Sequence, residues 1–313
     1  MVGALIIDKP AGLTSHDVVA RVRRATGTRR VGHAGTLDPF ATGVLVCCIG
    51  RATRLVQYLA GLDKEYIATV RLGYATDTQD GTGKQITPLR TSDELSLEEL
   101  RGVVDQFFGP QLQTPPMFSA KKVAGERLYR AARAGREVER EPVSIVVHSI
   151  KLLEDHGTAL NANMDGTRDF RVQVRCSSGT YVRTLAHDLG AGVGVGAHLV
   201  GLRRTEVGHF RLAEAVTLEE LERMSPGDLS NALIGTSDML SHLAVVKLDD
   251  DRVKLVVNGR GISLSDEETA VASGGSARLC DRGGRLVAVG EYDAMLKLLK
   301  PRVVMGAEGD GLG

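Results

Sequence analysis

Gly32-His33-Ala34-Gly35-Thr36-Leu37-Asp38-Pro39-Phe40-Ala41-Thr42-Gly43 holds a single carboxylate among three glycines and a proline. Glycine permits backbone shapes that side chains forbid. Pro39 fixes the backbone after Asp38 and keeps Asp38 itself extended. Asp38 is therefore expected on a stiff turn, presented to its surroundings instead of drawn into a helix. An aspartate in such a loop also serves simply to form the turn by bonding its own backbone. Its company favours a larger role: Arg29 and Arg30 precede it, His33 lies inside the loop, and the apolar run Val44-Leu45-Val46-Cys47-Cys48-Ile49 follows.

Outward from this loop the chain alternates strand and helix patterns. Upstream, Leu5-Ile6-Ile7 reads as a short strand. Ser15 is placed to cap a helix carrying Val18, Val19 and Val22, which ends at Gly27. Downstream, Ala52 to Leu59 reads as a short helix, and Lys64 to Leu72 alternates Tyr66, Ala68, Val70 and Leu72 as a half-buried strand. Ser96 and Glu99 form a capping box for a helix through Phe108, stopped by Gly109-Pro110. Gln111 to Pro142 is basic and reads as an insertion, a loop plus a helix around Arg127 to Ala134. Val143 to Leu153 and Phe170 to Cys176 read as strands, with a loop from Glu154 to Asp169 between them. Ser177 to Thr180 turns into a helix bearing Arg183, Leu185, Ala186 and Leu189. The glycines from Gly190 to Gly196 follow a helix, so they lack the strand context of a dinucleotide fingerprint. Thr217 and Glu220 form a second capping box. From Leu243 onward, short β-rich runs (Val253 to Val257, Arg278 to Cys280, Leu286 to Val289) suggest a separate small unit. The tail after Met305 is expected to fray.

The 313 residues suffice for two domains, and 42% hydrophobic with 25% charged content is a globular mix. No apolar run reaches membrane-span length and no signal pattern opens the chain, so a cytoplasmic protein is expected. Cys47, Cys48, Cys176 and Cys280 show no CxxC spacing, which argues against zinc and redox motifs. The formal net charge of zero hides an uneven distribution. Ser15 to Arg54 carries seven basic residues against Asp17 and Asp38, and Ser119 to Arg140 carries seven against three acids. Glu214 to Asp251 reverses the sign, with nine acids against Arg223 and Lys247. A basic face can attract a phosphate backbone whatever the total charge.

GHAGTLDPFATGVL (Gly32 to Leu45) resembles the signature of the TruB family of tRNA pseudouridine-55 synthases. LIIDKPAGLTSHDVV, KEYIATVRLGYATDTQD, PPMFSAKK with GERLYRAARAG, CSSGTYVRTLAHDLG and GAHLVGLRRTEVGHF resemble the family's other blocks, in its order, over about three quarters of the chain. The resemblance implies an α+β fold: a pseudouridine-synthase core with a mixed, largely antiparallel sheet and flanking helices, over residues 1–242. It implies an RNA-clamping insertion at about 111–142. A small PUA-like β-barrel, a module common on RNA-modifying proteins, is implied for 243–313.

It also implies isomerisation of the T-loop uridine of tRNA. The bond from ribose C1′ to uracil N1 breaks, the base turns, and it rejoins through C5. This needs neither redox change nor hydrolysis, so neither cofactor nor metal is expected. One carboxylate suffices as nucleophile or base, and the family pattern puts that role on Asp38. Arginine binds a carboxylate through its planar fork, and the pattern assigns this partner to Arg183. Tyr66 matches the aromatic that stacks on the target base, Tyr181 and Leu202 match positions lining the uracil pocket, and His33 matches a ring that fills the gap left by the flipped base. Lys9 matches the lysine of the DKP block, read as structural or phosphate-facing. The partner implied is the tRNA T-arm, with the acceptor end at the PUA-like unit, bound by a monomer.

Two other classes compete. A glycosidase needs a pair of carboxylates about 5–10 Å apart, and no second motif offers one. A non-catalytic RNA chaperone shares the basic stretches, the insertion and the β-rich end, but has no need of Asp38, Tyr66 and Arg183 together. A guide-RNA-dependent relative acting on rRNA is a third option, disfavoured by the compact length and the lack of basic tails.

Overall fold

The computed structural model of the protein describes residues 1–119, 121–123, 126–154, 159–272 and 275–306. The tail expected to fray lies, apart from Gly306, outside the described residues.

The strands of the main sheet and its neighbours are β1 (Gly3–Lys9), β2 (Val31–His33), β3 (Thr42–Ile49), β4 (Lys64–Leu72) and β5 (Gly109–Gln113), then the small hairpin β6 (Lys122–Val123) and β7 (Glu126–Arg127). They continue with β8 (Val143–Leu153), β9 (Leu160–Ala162), β10 (Arg168–Cys176), β11 (Ala197–Val207) and β12 (Phe210–Arg211). Helices α1 (Ser15–Thr26), α2 (Val56–Ala60), α3 (Leu97–Asp105), α4 (Leu128–Arg133), α5 (Val182–Val193), α6 (Leu218–Arg223) and α7 (Pro226–Ala232) flank them. The sheet runs β1-β3-β11-β4-β10-β8-β5, with β2 on β3, β12 on β11 and β9 on β10. Its strand pairs are antiparallel except β3 with β11, which meet in parallel at Thr42 opposite Arg203. That contact draws the loop before β3 against the middle of the sheet.

Burial explains the sequence patterns. Val44 to Ile49 is an unbroken apolar run because both faces of β3 are covered. Leu45, Cys47 and Ile49 pack with Val18, Val19 and Val22 of α1 and Leu218 and Leu221 of α6. Val44, Val46 and Cys48 pack on the other side with Leu55, Leu59 and residues of the C-terminal unit. β4 alternates cleanly, its buried set joining Phe170, Val172, Leu185 and Leu189 in the core beneath α5. The capping boxes at Ser96 and Thr217 are both present. Gly190 is where α5 meets β11: a Cβ there would lie 2.2 Å from the Ala197 nitrogen.

A second, five-stranded sheet follows: β13 (Ala244–Lys247), β14 (Ile262–Ser263), β15 (Ser276–Cys280), β16 (Leu286–Asp293) and β17 (Leu298–Val304), in the order β13-β15-β16-β17-β14. Helices α8 (Asp250–Val257) and α9 (Asp266–Ala272) pack on it.

Several local expectations are corrected. The cap of α1 is Thr14, whose side chain accepts from Asp17 N, and not Ser15. Val253 to Val257 is helical: Asp249 caps it and Asp250 and Asp251 occupy its first turn, which outweighs the β-branched content. Gln111 to Gln113 belongs to edge strand β5, paired with β8 from Gly109–Val147 to Gln113–Val143, so the insertion begins after Gln113. The helix expected through Phe108 ends at Asp105. Within Glu154 to Asp169, β9 pairs with the start of β10.

Candidate active site

The Asp38 loop is held from three sides. Lys9, at the end of β1, is fully buried, and its ammonium donates to Ala41 O at 2.6 Å, Pro10 O at 2.9 Å and Pro39 O at 3.1 Å. Of the two roles expected for Lys9, structural or phosphate-facing, these contacts fit the structural one, a strut under the loop. Burial lowers its pKa to about 8. Ser15 both donates to Leu37 O and accepts from Leu37 N at 2.9 Å. Arg204, on β11 and 1% exposed, donates to Val44 O at 2.7 Å, Gly35 O at 3.1 Å and Thr36 O at 3.4 Å. Loop carbonyls that water would otherwise bind are thus satisfied by buried cations. Gly43 allows the closest approach: its φ is +101°, and a Cβ there would lie 2.1 Å from Arg204 O.

Asp38 meets Arg183 on the first turn of α5. Arg183 Nε lies 2.9 Å from Asp38 Oδ2, and Nη2 donates to Oδ1 at 3.3 Å. The remaining donors are also engaged: Nη2 with Phe118 O at 2.9 Å, Nη1 with Thr78 O at 3.1 Å and Asp80 Oδ2 at 3.5 Å. All five N–H groups of the guanidinium are thus aimed. Asp80 in turn accepts from Thr82 Oγ1 at 2.6 Å, Thr78 Oγ1 at 2.8 Å and Thr82 N at 3.0 Å. Arg183 sits between two carboxylates, one fixed in a buried turn and one facing a cavity.

That cavity, about 300 Å³, is lined by Asp38, Tyr66, Tyr181, Arg183 and Leu202, with Lys64, Arg204, Phe118 and Ser119. Of the seven residues proposed from sequence, five meet in it. His33 is absent from the lining; it stands on β2, its ring edge-on to His16 with centroids 5.6 Å apart. Burial lowers its pKa, and its Nδ1 is buried without a hydrogen-bond partner. Tyr66, 8% exposed, lies opposite Arg204 in the β4–β11 register. Burial raises its phenol pKa, partly offset by Arg204.

Burial likewise raises the Asp38 pKa above 3.8; Arg183 opposes this and Asp80 adds to it. The Asp38 side chain still keeps a third of its exposure, on the cavity side. Lys64 has its pKa lowered to about 8 by burial and donates to Leu62 O at 2.5 Å and Ala60 O at 2.7 Å. Such a wall of apolar and aromatic groups with a few aimed charges suits one flipped-out base. Among the described residues, no group of three or more His, Cys, Asp or Glu is placed to hold a metal ion.

Asp80, Arg204 and Lys64 were not singled out by the sequence. The one signal for Asp80 is Thr78-x-Asp80-x-Thr82, a carboxylate with a hydroxyl two residues to either side.

Residues 23–182 match the family model described as TruB family pseudouridylate synthase (N-terminal domain), and 183–233 match that of the tRNA pseudouridylate synthase B C-terminal domain. Among curated relatives, tRNA pseudouridine synthase B of Bacillus velezensis is 39% identical over 305 residues, 97% of both chains. That of Solibacter usitatus is 42% identical over 306 residues, 97% of this chain and 100% of the relative. Among solved structures, a Cbf5-Nop10-Gar1 complex matches with TM-score 0.70 and 27% identity, covering 98% of this chain and 84% of that one. The fold is thus the α+β pseudouridine-synthase core with a PUA-like β unit at the C-terminus. The chain belongs to the TruB family of pseudouridine synthases, isomerases that convert uridine to pseudouridine.

Proposed function

We propose that this protein isomerises the T-loop uridine of tRNA, position 55, with Asp38 as the group that engages the flipped-out nucleotide. The observation that carries the reading is the two-point contact between Arg183 and Asp38 at a cavity walled by Tyr66, Tyr181 and Leu202. Arg183 keeps the raised carboxyl of Asp38 ionised and aims it. Tyr66 stacks on the uracil, while Tyr181 and Leu202 close the pocket around it. Once C1′–N1 breaks, these walls confine the free base while it turns to present C5. C5 then bonds to C1′, the C5 proton passes to solvent, and N1 takes up a proton, so the product is an isomer and no other group leaves. His33 stacks in the gap left in the RNA loop. The relatives' shared name, tRNA pseudouridine synthase B, supports tRNA as the substrate.

We divide the chain into a catalytic part, 1–242, with its insertion clamping the T-arm, and a PUA-like part, 243–313, bound toward the acceptor end. The working form is a cytoplasmic monomer; no helix among the described residues is long and apolar enough to cross a membrane. The test is tritium release from tRNA transcript carrying C5-labelled uridine, followed by mapping of the modified position. One equivalent of tritium and a single pseudouridine in the T-loop are expected. Release confined to another position, or none from an isolated T-arm hairpin, would contradict the reading.

A further inference from the structure

Gln113 is the last residue of β5, the strand from which the insertion departs, and it is 2% exposed. Its side-chain amide does not satisfy itself within the sheet. Instead it binds both backbone groups of one distant residue: Oε1 accepts from Tyr181 N at 2.7 Å, and Nε2 donates to Tyr181 O at 3.0 Å. Tyr181 is the N-cap of α5 and has no side-chain cap of its own. Its ring lines the cavity, and Arg183 follows two residues later. Five residues beyond Gln113, the insertion touches the same helix again, where Phe118 O accepts from Arg183 Nη2 at 2.9 Å.

A two-point amide clamp fixes both position and rotation of the backbone it holds. Tyr181 enters α5 with φ −95° and ψ 104°, so a rotation there redirects the first turn of the helix. We propose that Gln113 is a positioning residue for the isomerisation: it sets the entry of α5, and so the reach of Arg183 to Asp38 and the seat of the Tyr181 ring, from the strand that carries the insertion. Through this clamp the placement of the insertion is coupled to the geometry of the reacting pair. The inference rests on the Asp38–Arg183 reading above.

The isosteric acid, which adds only a titratable charge, gives the test. In Gln113→Glu, an ionised carboxylate still accepts from Tyr181 N but turns its second oxygen against Tyr181 O. A protonated carboxyl donates there and restores the clamp. Burial holds such a carboxyl above its ordinary range. The charged groups along the surrounding network are Arg183 on α5 with its two carboxylates, Asp38 of the loop before β3 and Asp80, and, on the insertion side, Arg140, which donates to Pro115 O and has Glu137 beside it.

Single-turnover rate and RNA dissociation constant are measured for the full-length parent, Gln113→Glu, Gln113→Ala and Asp38→Asn between about pH 5 and 8. At pH 8, Gln113→Glu is expected to react on the order of tenfold to a hundredfold more slowly, with RNA affinity within a few-fold of the parent. Its rate relative to the parent should climb as pH falls, while that of Gln113→Ala stays low and flat. A Gln113→Glu ratio that is flat with pH, parent-like rates in both Gln113 variants, or parallel loss of rate and affinity would overturn the proposal. If Gln113→Ala fails to fold, the acid recovery of Gln113→Glu decides alone. Asp38→Asn separates the two readings: if it keeps its rate, the active-site reading fails, whereas its loss beside intact Gln113 variants rejects the clamp only.

Discussion

At the scale of single residues, the site turns on how one guanidinium is used. Arg183 spends five donors on five acceptors from three segments of chain. Lysine has three donors and no fork, so Arg183→Lys should be nearly as damaging as Arg183→Ala, on the order of a hundredfold in single-turnover rate. RNA affinity should change far less, because the contacts are internal. A lysine variant with near-normal rate would mean that charge alone matters. Asp38 adds a pH dependence whose sign follows from its raised pKa. In the proposed role of Asp38 the ionised form reacts, so the rate should fall as pH drops through that raised value, earlier than for an ordinary aspartate. Stability moves the other way. A folded pKa above the unfolded value means that the ionised carboxylate weakens the fold at neutral pH and is relieved as pH falls. Asp38→Asn should therefore match or exceed the parent in melting temperature at pH 7, as expected where a fold tolerates a costly group for function; a clear drop would count against this balance.

At the scale of elements, the loop and the strand pairings that press on it do the positioning. Gly43→Ala places a Cβ 2.1 Å from Arg204 O at a φ of +101°. The atoms it meets are Arg204 backbone, which leaves no cheap escape, so a loss of about 3 kcal/mol or more in unfolding free energy is expected, with activity lost at the same time; a mild effect would show the β3–β11 contact to be loose. Much of this level was legible in sequence. β4, α3 and α6 announce themselves through alternation and capping boxes, because their signals are local. What was missed depends on partners far along the chain. Gln113 looks like the start of a polar loop until β8 lies beside it. Val253 to Val257 looks like a strand until the three aspartates before it act as a helix start. Asp80 and Arg204 look like surface charges, since nothing nearby in sequence tells that their partners are Arg183 and the carbonyls of the Asp38 loop.

At the scale of the whole molecule, zero net charge coexists with segregated charge. The insertion exposes Arg130 and half-exposes Lys121. If it clamps RNA, replacing both with glutamine should flatten the dependence of log affinity on log salt by about one to two units; an unchanged slope would place the RNA elsewhere. The C-terminal unit is not a loosely tethered appendage. Cys280, Leu286, Val289, Val303 and Met305 share a buried cluster with Ala4, Val46, Leu55 and Leu59. Arg51 and Arg54 donate to Met305 O and Val304 O. Truncation after residue 242 should thus lower the melting temperature of the remainder by about 10 °C or more, each exposed core side chain costing about 1.5–3 kcal/mol. A truncated chain that melts like the parent would show the two sheets to be independent.

The central claim, that the Asp38 carboxylate performs the isomerisation and does not merely shape the loop, is met most directly by Asp38→Asn. The amide preserves size and shape but supplies neither nucleophile nor base. Single-turnover tritium release and tRNA affinity are measured on the same preparation. Release below about a thousandth of the parent rate, some 4 kcal/mol of lost barrier reduction, with affinity held within a few-fold, is the expected result. Retention of more than about a tenth of the parent rate would contradict it.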